Sequence, residues 1–200
     1  MAAPSEALAS RRDAILDAAY QAFARYGYRR TSMEEIARGT GMSRASLYLQ
    51  FANKEEIFRA LVERVHGEAV DAADDALVSD APLAARLEDA LVAKVGRLLD
   101  VVEGSPHGDE IVDESSRLCG DIVLASSERF QKRLAAAFTR ALRSGELDLA
   151  GTGLSAPAAA ELLRLSALGL KNGAGNAREY RKRTRRLVRI FLAGLAAIDD

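Results

Sequence analysis

The sequence predicts an all-α protein with about nine helices in total, and three observations lead to this prediction. Helix-forming residues dominate along the whole 200-residue chain. Apolar residues recur at helical spacing in successive segments, without the sustained alternation of a half-buried strand. Glycine, proline or a capping residue separates these segments. A hydrophobic content of 48 % is ample for a core, in one large domain or two small ones.

Two short helices joined by a glycine turn are predicted in residues 31–54, TSMEEIARGTGMSRASLYLQFANK. Ser32 followed three residues later by Glu35 forms a capping box, so the first helix is expected to begin at Met33. The sequence Gly-Thr-Gly that ends at Gly41 breaks this helix, and Ser43 is the expected N-cap of the second one. The segment therefore predicts a helix-turn-helix at about residues 32–51.

The spacing of three packing residues supports this interpretation. Ala37 is small where the second helix crosses the first, Gly41 supplies a backbone angle that is costly for other residues, and Leu47 points to the inside. In a helix-turn-helix the second helix lies in the DNA major groove. The alternative is a surface helical hairpin without a ligand.

From about residue 11 to residue 61 the chain resembles the DNA-binding domain of the tetracycline-repressor (TetR) family. The resemblance rests on the segments FARYGYRRTS, IARGTGMS, SLYLQF and NKEEIF, which follow one another in the family's order and spacing. It implies a three-helix DNA-binding head at residues 11–71 and a C-terminal helical ligand-binding and dimerisation domain at residues 72–200.

Several residues around the second short helix are candidates for DNA contact. Arg44 can bind guanine O6 and N7, Ser46 can bind a base edge or a phosphate, and Ala45 is small enough to approach a thymine methyl. The resemblance further implies phosphate contacts for Tyr48 and Lys54, with hydroxyls from Thr31 and Ser32. The chain departs from the family at Leu49 and Gln50: Gln50 can donate to a phosphate, and Leu49 can contact thymine methyls. Alternatives are core packing for Tyr48 and a plain surface position for Arg44.

The other segments predict a helical chain after a short N-terminal arm. Residues 1–9 are expected to be a disordered arm. Asn53 and Glu56 form a second capping box, which begins the helix that connects the head to the rest. Further helices are expected at residues 10–27, 53–77, 80–104, 111–125, 127–145, 155–172 and 178–198.

The last helix carries apolar residues on two faces, which favours burial against a second subunit. The resemblance implies an intersubunit bundle formed by the final two helices, with the interface candidates Leu162, Leu165, Gly169, Leu187, Val188, Phe191 and Leu195. An apolar effector would bind in the C-terminal domain, with the pocket candidates Val95, Leu98, Val102, Leu118, Ile122, Phe138 and Leu142. Each pocket candidate can instead be ordinary core.

The expected function is therefore a cytoplasmic, homodimeric repressor that binds a palindromic DNA operator and is released by a small apolar ligand. The alternatives are a dimeric TetR-like protein-interaction module, or an activator without small-molecule induction. An enzyme is not expected: His66, His107 and the single cysteine, Cys119, form no metal-spaced or catalytic pattern, and no phosphate loop is present. No cofactor or metal is expected. The N-terminal segment is not expected to be a signal peptide, and no apolar stretch of the sequence is long enough to predict a membrane span.

The charge distribution agrees weakly with a DNA-binding N-terminus. The net charge is −1, with 10 basic and 8 acidic residues in 1–66 and 9 basic and 17 acidic residues in 67–157. Residues 158–200 hold 9 basic and 4 acidic residues, and five of the basic residues form the cluster RKRTRR at 181–186. Because this cluster lies at the start of a helix far along the chain from the head, it is interpreted as a solvated surface or one that faces acidic residues.

Overall fold

The computed structural model describes residues 4–172, 174 and 176–196, with side chains from residue 10 onward except at 97, 98, 101, 102 and 196. Within these residues the chain is entirely helical, with no strand. The nine helices described are α1 Pro4–Tyr26, α2 Met33–Thr40, α3 Arg44–Tyr48, α4 Lys54–Val78, α5 Leu83–Glu103, α6 Gly108–Leu118, α7 Gly120–Ser144, α8 Ala156–Lys171 and α9 Ala177–Ala196. The predicted fold class and helix number are confirmed for the described part.

Helix α1 begins earlier than the sequence predicted. The expectation of a disordered arm up to residue 9 was wrong from Pro4 onward, while residues 1–3 lie outside the described part. Proline suits the first turn of a helix because that turn does not need its N–H, and the residues that follow include good helix formers. The helix ends as predicted at Gly27, whose φ is +82°.

The boundary between α6 and α7 also differs from the prediction. A cap was expected at Ser127, but this residue lies inside α7, and the break occurs at Cys119 with φ −130° and ψ 21°. Cys119 is completely buried, and Leu118 and Ile122 pack against the same core. Burial raises the pKa of the Cys119 thiol to about 11, so Cys119 acts as a small buried side chain and not as a reactive thiolate.

Contacts group the described residues into two compact units. The first, the head unit, contains the residues up to Val65 together with Val101–Val123. The second, the C-terminal unit, contains His66–Asp100 and the residues from Leu124 onward. The head is therefore built from two separate parts of the chain, and it includes α6 in addition to the helices that the sequence indicated.

The core of the head unit is centred on an aromatic cluster. The ring of Phe23 lies 5.5 Å from those of Tyr28 and Phe58, and the Tyr28 and Phe58 rings are 4.8 Å apart. Ala37 and Leu47 are both buried, as the helix-turn-helix spacing predicted. These contacts hold α1, α2, α3 and the start of α4 around one centre.

The C-terminal unit has its own core. Its fully buried residues come from five helices and include Ala73, Leu87, Leu134, Phe138 and Leu163. A smaller cluster surrounds the buried ring of Tyr180, at the start of α9. None of the described helices combines the length and the apolar character required to span a membrane.

Candidate nucleic-acid interface

Both short helices of the head carry the caps that the sequence predicted. The Ser32 N–H donates to Glu35 Oε2 over 2.7 Å, and the Glu35 N–H donates back to Ser32 Oγ over 3.3 Å. These hydrogen bonds hold the pKa of the Glu35 carboxyl below its usual value. At the second helix, Ser43 Oγ accepts the Ser46 N–H over 3.1 Å. Backbone N–H groups in the first turn of each helix thus have acceptors within the same segment.

Gly41 makes the turn between the two helices possible. It follows α2 in the left-handed conformation, with φ 69° and ψ 10°. Its N–H lies 3.3 Å from the Arg38 carbonyl oxygen, and the Met42 N–H donates to Ala37 O over 3.2 Å. The predicted positive backbone angle is confirmed, and it directs the chain into α3.

Helix α3 buries one side chain and exposes the rest. Leu47 is its only buried residue, whereas Arg44, Ala45 and Ser46 are exposed. Tyr48 is 46 % exposed and therefore does not act as core packing, and Leu49 is 83 % exposed. Gln50 is half-buried. These side chains form an accessible polar surface with one exposed leucine, which we call the α3 surface: Arg44, Ala45, Ser46, Tyr48 and Leu49.

Arg44 has an acidic partner that the sequence analysis did not identify. Its guanidinium forms an ion pair with Glu34, which lies in the first turn of α2. Both side chains are largely accessible to solvent, so the pair contributes little stability and can be exchanged for another partner. In a helix-turn-helix the start of α2 lies close to the start of α3. This geometry could have indicated the ion pair between Glu34 and Arg44.

The ammonium group of Lys54 makes contacts inside the head unit. Its Nζ donates to the backbone carbonyls of Tyr28 at 2.7 Å, Thr31 at 2.9 Å and Arg29 at 3.3 Å. It also lies 4.4 Å from the centre of the Tyr28 ring. An ammonium group has three N–H donors, and here all three have acceptors. In the DNA-free structure Lys54 ties the loop after α1 to the start of α4, and its phosphate contact stays a prediction.

Thr31 and Ser32 are also occupied inside the head. Thr31 is 2 % exposed, and its hydroxyl lies 2.7 Å from the Gly27 carbonyl oxygen. The Ser32 hydroxyl lies 3.0 Å from Glu35 Oε2 and serves the capping box. The prediction that these hydroxyls face DNA was wrong for Thr31, because a buried hydroxyl with a backbone acceptor cannot reach a phosphate. The Ser32 hydroxyl is hydrogen-bonded within the capping box, and its contact with DNA stays a prediction.

Arg12 is a further exposed arginine of the head unit. It lies 4.3 Å from the centre of the Phe51 ring, in the segment that follows α3. Stacking on an aromatic ring fixes a guanidinium without using its N–H donors. Arg12 is therefore held close to the start of α4 with its donors available.

Charged hydrogen bonds attach α6 to the rest of the head unit. Glu114, although only 3 % exposed, accepts from Arg29 Nε over 2.9 Å and from Arg117 Nε over 2.8 Å. The hydrogen bond from Arg29 is the main cause that lowers the pKa of the Glu114 carboxyl. Asp121 accepts from Arg59 Nη2 over 2.7 Å. A buried carboxylate with two guanidinium partners is a specific contact, so α6 is fixed to the loop after α1.

The predicted pocket residues are not brought together. Leu118 and Ile122 pack against the core of the head unit, whereas Phe138 and Leu142 belong to the main core of the C-terminal unit. Val95 packs beside the Tyr180 cluster. The side chains of Leu98 and Val102 lie outside the described residues. The set as predicted is therefore divided among three clusters, because helical spacing marks a buried face but not the core in which it is buried.

The predicted dimer residues fall into two groups. Val188, which is 1 % exposed, and Leu195 belong to the core of the C-terminal unit, and Leu187 and Phe191 pack against it. The prediction of an intersubunit role was therefore wrong for Val188 and Leu195, which face their own chain.

The remaining candidates are exposed. Leu162, Leu165 and Gly169 are exposed on α8, as is Leu168. On α9, Ile190 is 72 % exposed. These five residues form what we call the outer apolar face.

The basic cluster at the start of α9 faces acidic residues of α5. Arg185 Nε lies 3.1 Å from Glu88 Oε1, and Arg181 Nη1 lies 3.5 Å from Asp89 Oδ1. This agrees with the interpretation of the cluster as one that faces acidic residues. No group of side chains able to hold a metal ion occurs among the described residues.

Comparison with known proteins identifies the family of the head. The family model for bacterial regulatory proteins of the tetR family matches residues 15–61. Residues 15–61 thus form a TetR-family DNA-binding region. Relatives of this family are named as transcriptional regulators and not as enzymes. The match covers α2 and α3 completely, together with the second half of α1 and the start of α4.

Individual relatives agree with this assignment. ComR, a transcriptional repressor of Escherichia coli K12, is 43 % identical over 53 residues, which are 26 % of this chain and 25 % of ComR. The chain thus spans about a quarter of ComR in that alignment. A TetR-family regulator from Mesorhizobium loti matches 94 % of this chain and 97 % of its own, with a TM-score of 0.73 and 24 % identity.

The fold is also similar to that of SmeT, the repressor of a Stenotrophomonas maltophilia multidrug efflux pump. The complex of SmeT with triclosan matches 92 % of this chain and 91 % of its own, with a TM-score of 0.67 and 24 % identity. At 24 % identity these likenesses show a shared fold over nearly the whole chain, including the C-terminal unit, and they show nothing about function.

Proposed function

We propose that this TetR-family protein is a homodimeric transcriptional repressor that binds a palindromic DNA operator and is released from it by a small apolar ligand. Such a protein acts in the cytoplasm, where the operator is accessible. The observation that supports this most directly is the α3 surface, which is presented by a helix-turn-helix with both caps and the glycine turn in place. A surface that is already formed requires little ordering when DNA binds.

The chemistry of the α3 surface suits the major groove. Arg44, at the first position of α3, can exchange Glu34 for the O6 and N7 acceptors of a guanine. Ala45 leaves room for close approach, and the exposed Leu49 offers an apolar contact to a thymine methyl. A charged side chain beside an exposed leucine favours recognition of specific base pairs over contact with phosphates alone.

Two copies of the head are required to read a palindrome, and the outer apolar face supports the second copy. Leu162, Leu165 and Leu168 follow one another at three-residue intervals, so they lie on one side of α8. Ile190 and Gly169 extend this apolar surface. We propose that the same face of a second chain covers it around a twofold axis.

Release by a ligand requires that the ligand bind better to the arrangement that does not bind DNA. We propose the C-terminal unit for this role. SmeT, whose fold is similar, is described in complex with triclosan, which supports a small-molecule ligand for the present protein.

The first experiment measures binding to DNA. Fluorescence anisotropy with duplexes from the region upstream of the protein's own gene should find a specific site. We expect Arg44→Ala to weaken binding by roughly 1–3 kcal/mol and to relax the preference at one base pair. Lys132→Ala is the control, since Lys132 is an exposed cation of α7. Equal binding of Arg44→Ala and the wild type to every duplex would refute the role of the α3 surface.

The second experiment measures the oligomeric state. Light scattering after size exclusion should give a dimer for the wild type and a monomer for Leu165→Glu. Leu124→Glu is the matched control, because Leu124 is an exposed leucine of α7 outside the outer apolar face. A monomeric wild type would refute the dimer. A dimer without affinity for DNA would indicate a protein-interaction module.

A further inference from the structure

A guanidinium group from α1 is held at the end of α3 that lies opposite Arg44. The Phe51 N–H donates to Leu47 O over 3.0 Å, so hydrogen bonds of helical spacing continue from α3 to Phe51. At a rise of about 1.5 Å per residue, Phe51 lies roughly 10 Å along this axis from Arg44. The guanidinium carbon of Arg12 lies 4.3 Å from the centre of the Phe51 ring. We call these two residues, Arg12 and Phe51, the Arg12 stack.

The two members of the stack differ in exposure. Phe51 is 1 % exposed and belongs to the core of the head unit, whereas Arg12 is exposed to solvent. Contact with an aromatic ring restricts a guanidinium but uses none of its five N–H donors. Within the described part of the chain, Arg12 forms neither a hydrogen bond nor an ion pair with another residue. The stack therefore presents a positioned cation at the surface.

The acidic residues that follow Arg12 on α1 are paired with a different cation. Arg64 of α4 forms ion pairs with Asp13 at 3.9 Å and with Asp17 at 2.7 Å. Glu56, in the first turn of α4, accepts a backbone N–H at the start of its own helix over 2.7 Å. These three carboxylates thus have partners other than Arg12, and the positive charge of the stack is available to an anion outside the head.

The distance between the two arginines matches the dimensions of DNA. The major groove is about 12 Å wide and is bordered by phosphates on both sides. When Arg44 at one end of α3 reaches a base, a cation roughly 10 Å away lies near the border of the groove, where the phosphates are. A guanidinium can donate two N–H groups to one phosphate. Because the Phe51 ring already restricts Arg12, this contact costs little side-chain entropy.

We propose that the Arg12 stack is a phosphate-binding site of the head unit, in which Phe51 holds the Arg12 guanidinium against a backbone phosphate at the border of the major groove. The inference rests on the proposed binding of DNA, and it extends the DNA contact to α1, outside the helix-turn-helix. Arg12 is a positioning residue. Its phosphate contact fixes how α3 enters the groove, while the preference for particular bases stays with the α3 surface.

The test measures how binding to an operator and to a generic duplex depends on salt, by fluorescence anisotropy. Arg12→Met keeps an apolar stem over Phe51 and removes the charge. It should weaken binding to both duplexes alike, by about tenfold at low salt, and reduce the slope of log K against log salt by about 0.9. Arg11→Met is the matched control, because it removes the same charge from an exposed neighbouring position without a ring contact. It should keep the wild-type slope, and an equal loss in both variants would overturn the inference.

A double-mutant cycle tests the role of the ring separately from its role in the core. Phe51→Leu should weaken DNA binding when Arg12 is present, and it should have no further effect on DNA binding in the Arg12→Met background. Because Phe51 is buried, its replacement lowers stability, so urea unfolding first identifies the temperature at which every variant is folded. Losses of DNA affinity that are equal in the two backgrounds would show that Phe51 acts through folding alone, and would overturn its role in the site.

The same measurements separate this inference from the proposed function. If the wild type binds DNA and Arg12→Met matches it in affinity and in salt slope, the phosphate site is refuted and the α3 surface is unaffected. If the wild type binds no duplex, both are refuted. A change in the preferred base sequence of Arg12→Met would contradict a contact that only positions α3. A uniform loss of affinity with a smaller salt slope supports the site.

Discussion

Replacement of Lys54 by methionine distinguishes a structural lysine from one that binds DNA. The methionine keeps most of the apolar stem and removes the ammonium, which donates to the carbonyls of Tyr28, Arg29 and Thr31. These carbonyls lie in the loop between α1 and α2, and burial lowers the pKa of Lys54. The substitution therefore leaves partly buried carbonyl groups without a donor.

The size of the expected stability loss follows from the two shorter hydrogen bonds of Lys54, to the carbonyls of Tyr28 and Thr31. A hydrogen bond to a charged group contributes about 1.5–3 kcal/mol when well shielded, and the contact with the Tyr28 ring adds about 0.5–1 kcal/mol. Because Lys54 is only half-buried and such contributions are not additive, we expect a loss of about 2–4 kcal/mol in the free energy of unfolding. With a urea dependence of about 2 kcal/mol per M, the midpoint should fall by about 1–2 M.

The assay combines urea unfolding, followed by circular dichroism, with the salt dependence of binding to a generic duplex. A lysine that binds no phosphate leaves the slope of log K against log salt unchanged in the variant, measured where the head is folded. Arg44→Met is the matched control, with the opposite expectation of unchanged stability and weaker DNA binding. The structural role of Lys54 would be refuted by a variant of wild-type stability whose salt slope is smaller by about 0.9.

Three further predictions concern the turn, the ion pair at α3 and the buried histidine. Gly41→Ala should lower the free energy of unfolding by about 1–2 kcal/mol in urea, because φ is 69° there, although a Cβ would meet no atom within 4 Å. Glu34→Gln should strengthen binding to a generic duplex by about 1 kcal/mol or less in anisotropy, because it frees Arg44 and removes a negative charge. The pKa of His66 falls from 6.5 unfolded to about 4 folded, so the unfolded chain binds more protons between these values. Stability should therefore decline as the pH drops from 6.5 towards 4, by about 1–2 kcal/mol after allowance for partial exposure, and His66→Gln should lose less over the same range.

Local signals in the sequence predicted the local structure well. Ser32, Glu35 and Ser43 specify caps through hydrogen bonds that span three residues, and Gly41 specifies a turn through its own backbone angle. Such features depend on neighbours in the chain, so they are visible without tertiary structure. The α3 surface could be predicted for the same reason.

Contacts distant in sequence could not be predicted in this way. The bond between Arg29 and Glu114 joins residues 85 positions apart, and no spacing rule indicates it. The internal contacts of Lys54 could not be predicted for a related reason: its carbonyl acceptors lie between 23 and 26 residues earlier, so the sequence showed only a cation near the head. Helical periodicity also showed that α9 has two apolar faces without indicating that Val188 belongs to the inner one.

Because α6 is attached to the head unit, the head cannot be produced as a short N-terminal fragment. A fragment that stops near residue 71 contains every residue of the family match, yet it lacks Cys119 and the carboxylate of Glu114. The freed surface around Tyr28 and Phe58 would meet water, and Arg29 would lose its partner. Recombinant heads cut at that point should consequently express poorly or aggregate, and grafting this head onto another regulator would require its α6 to travel with it.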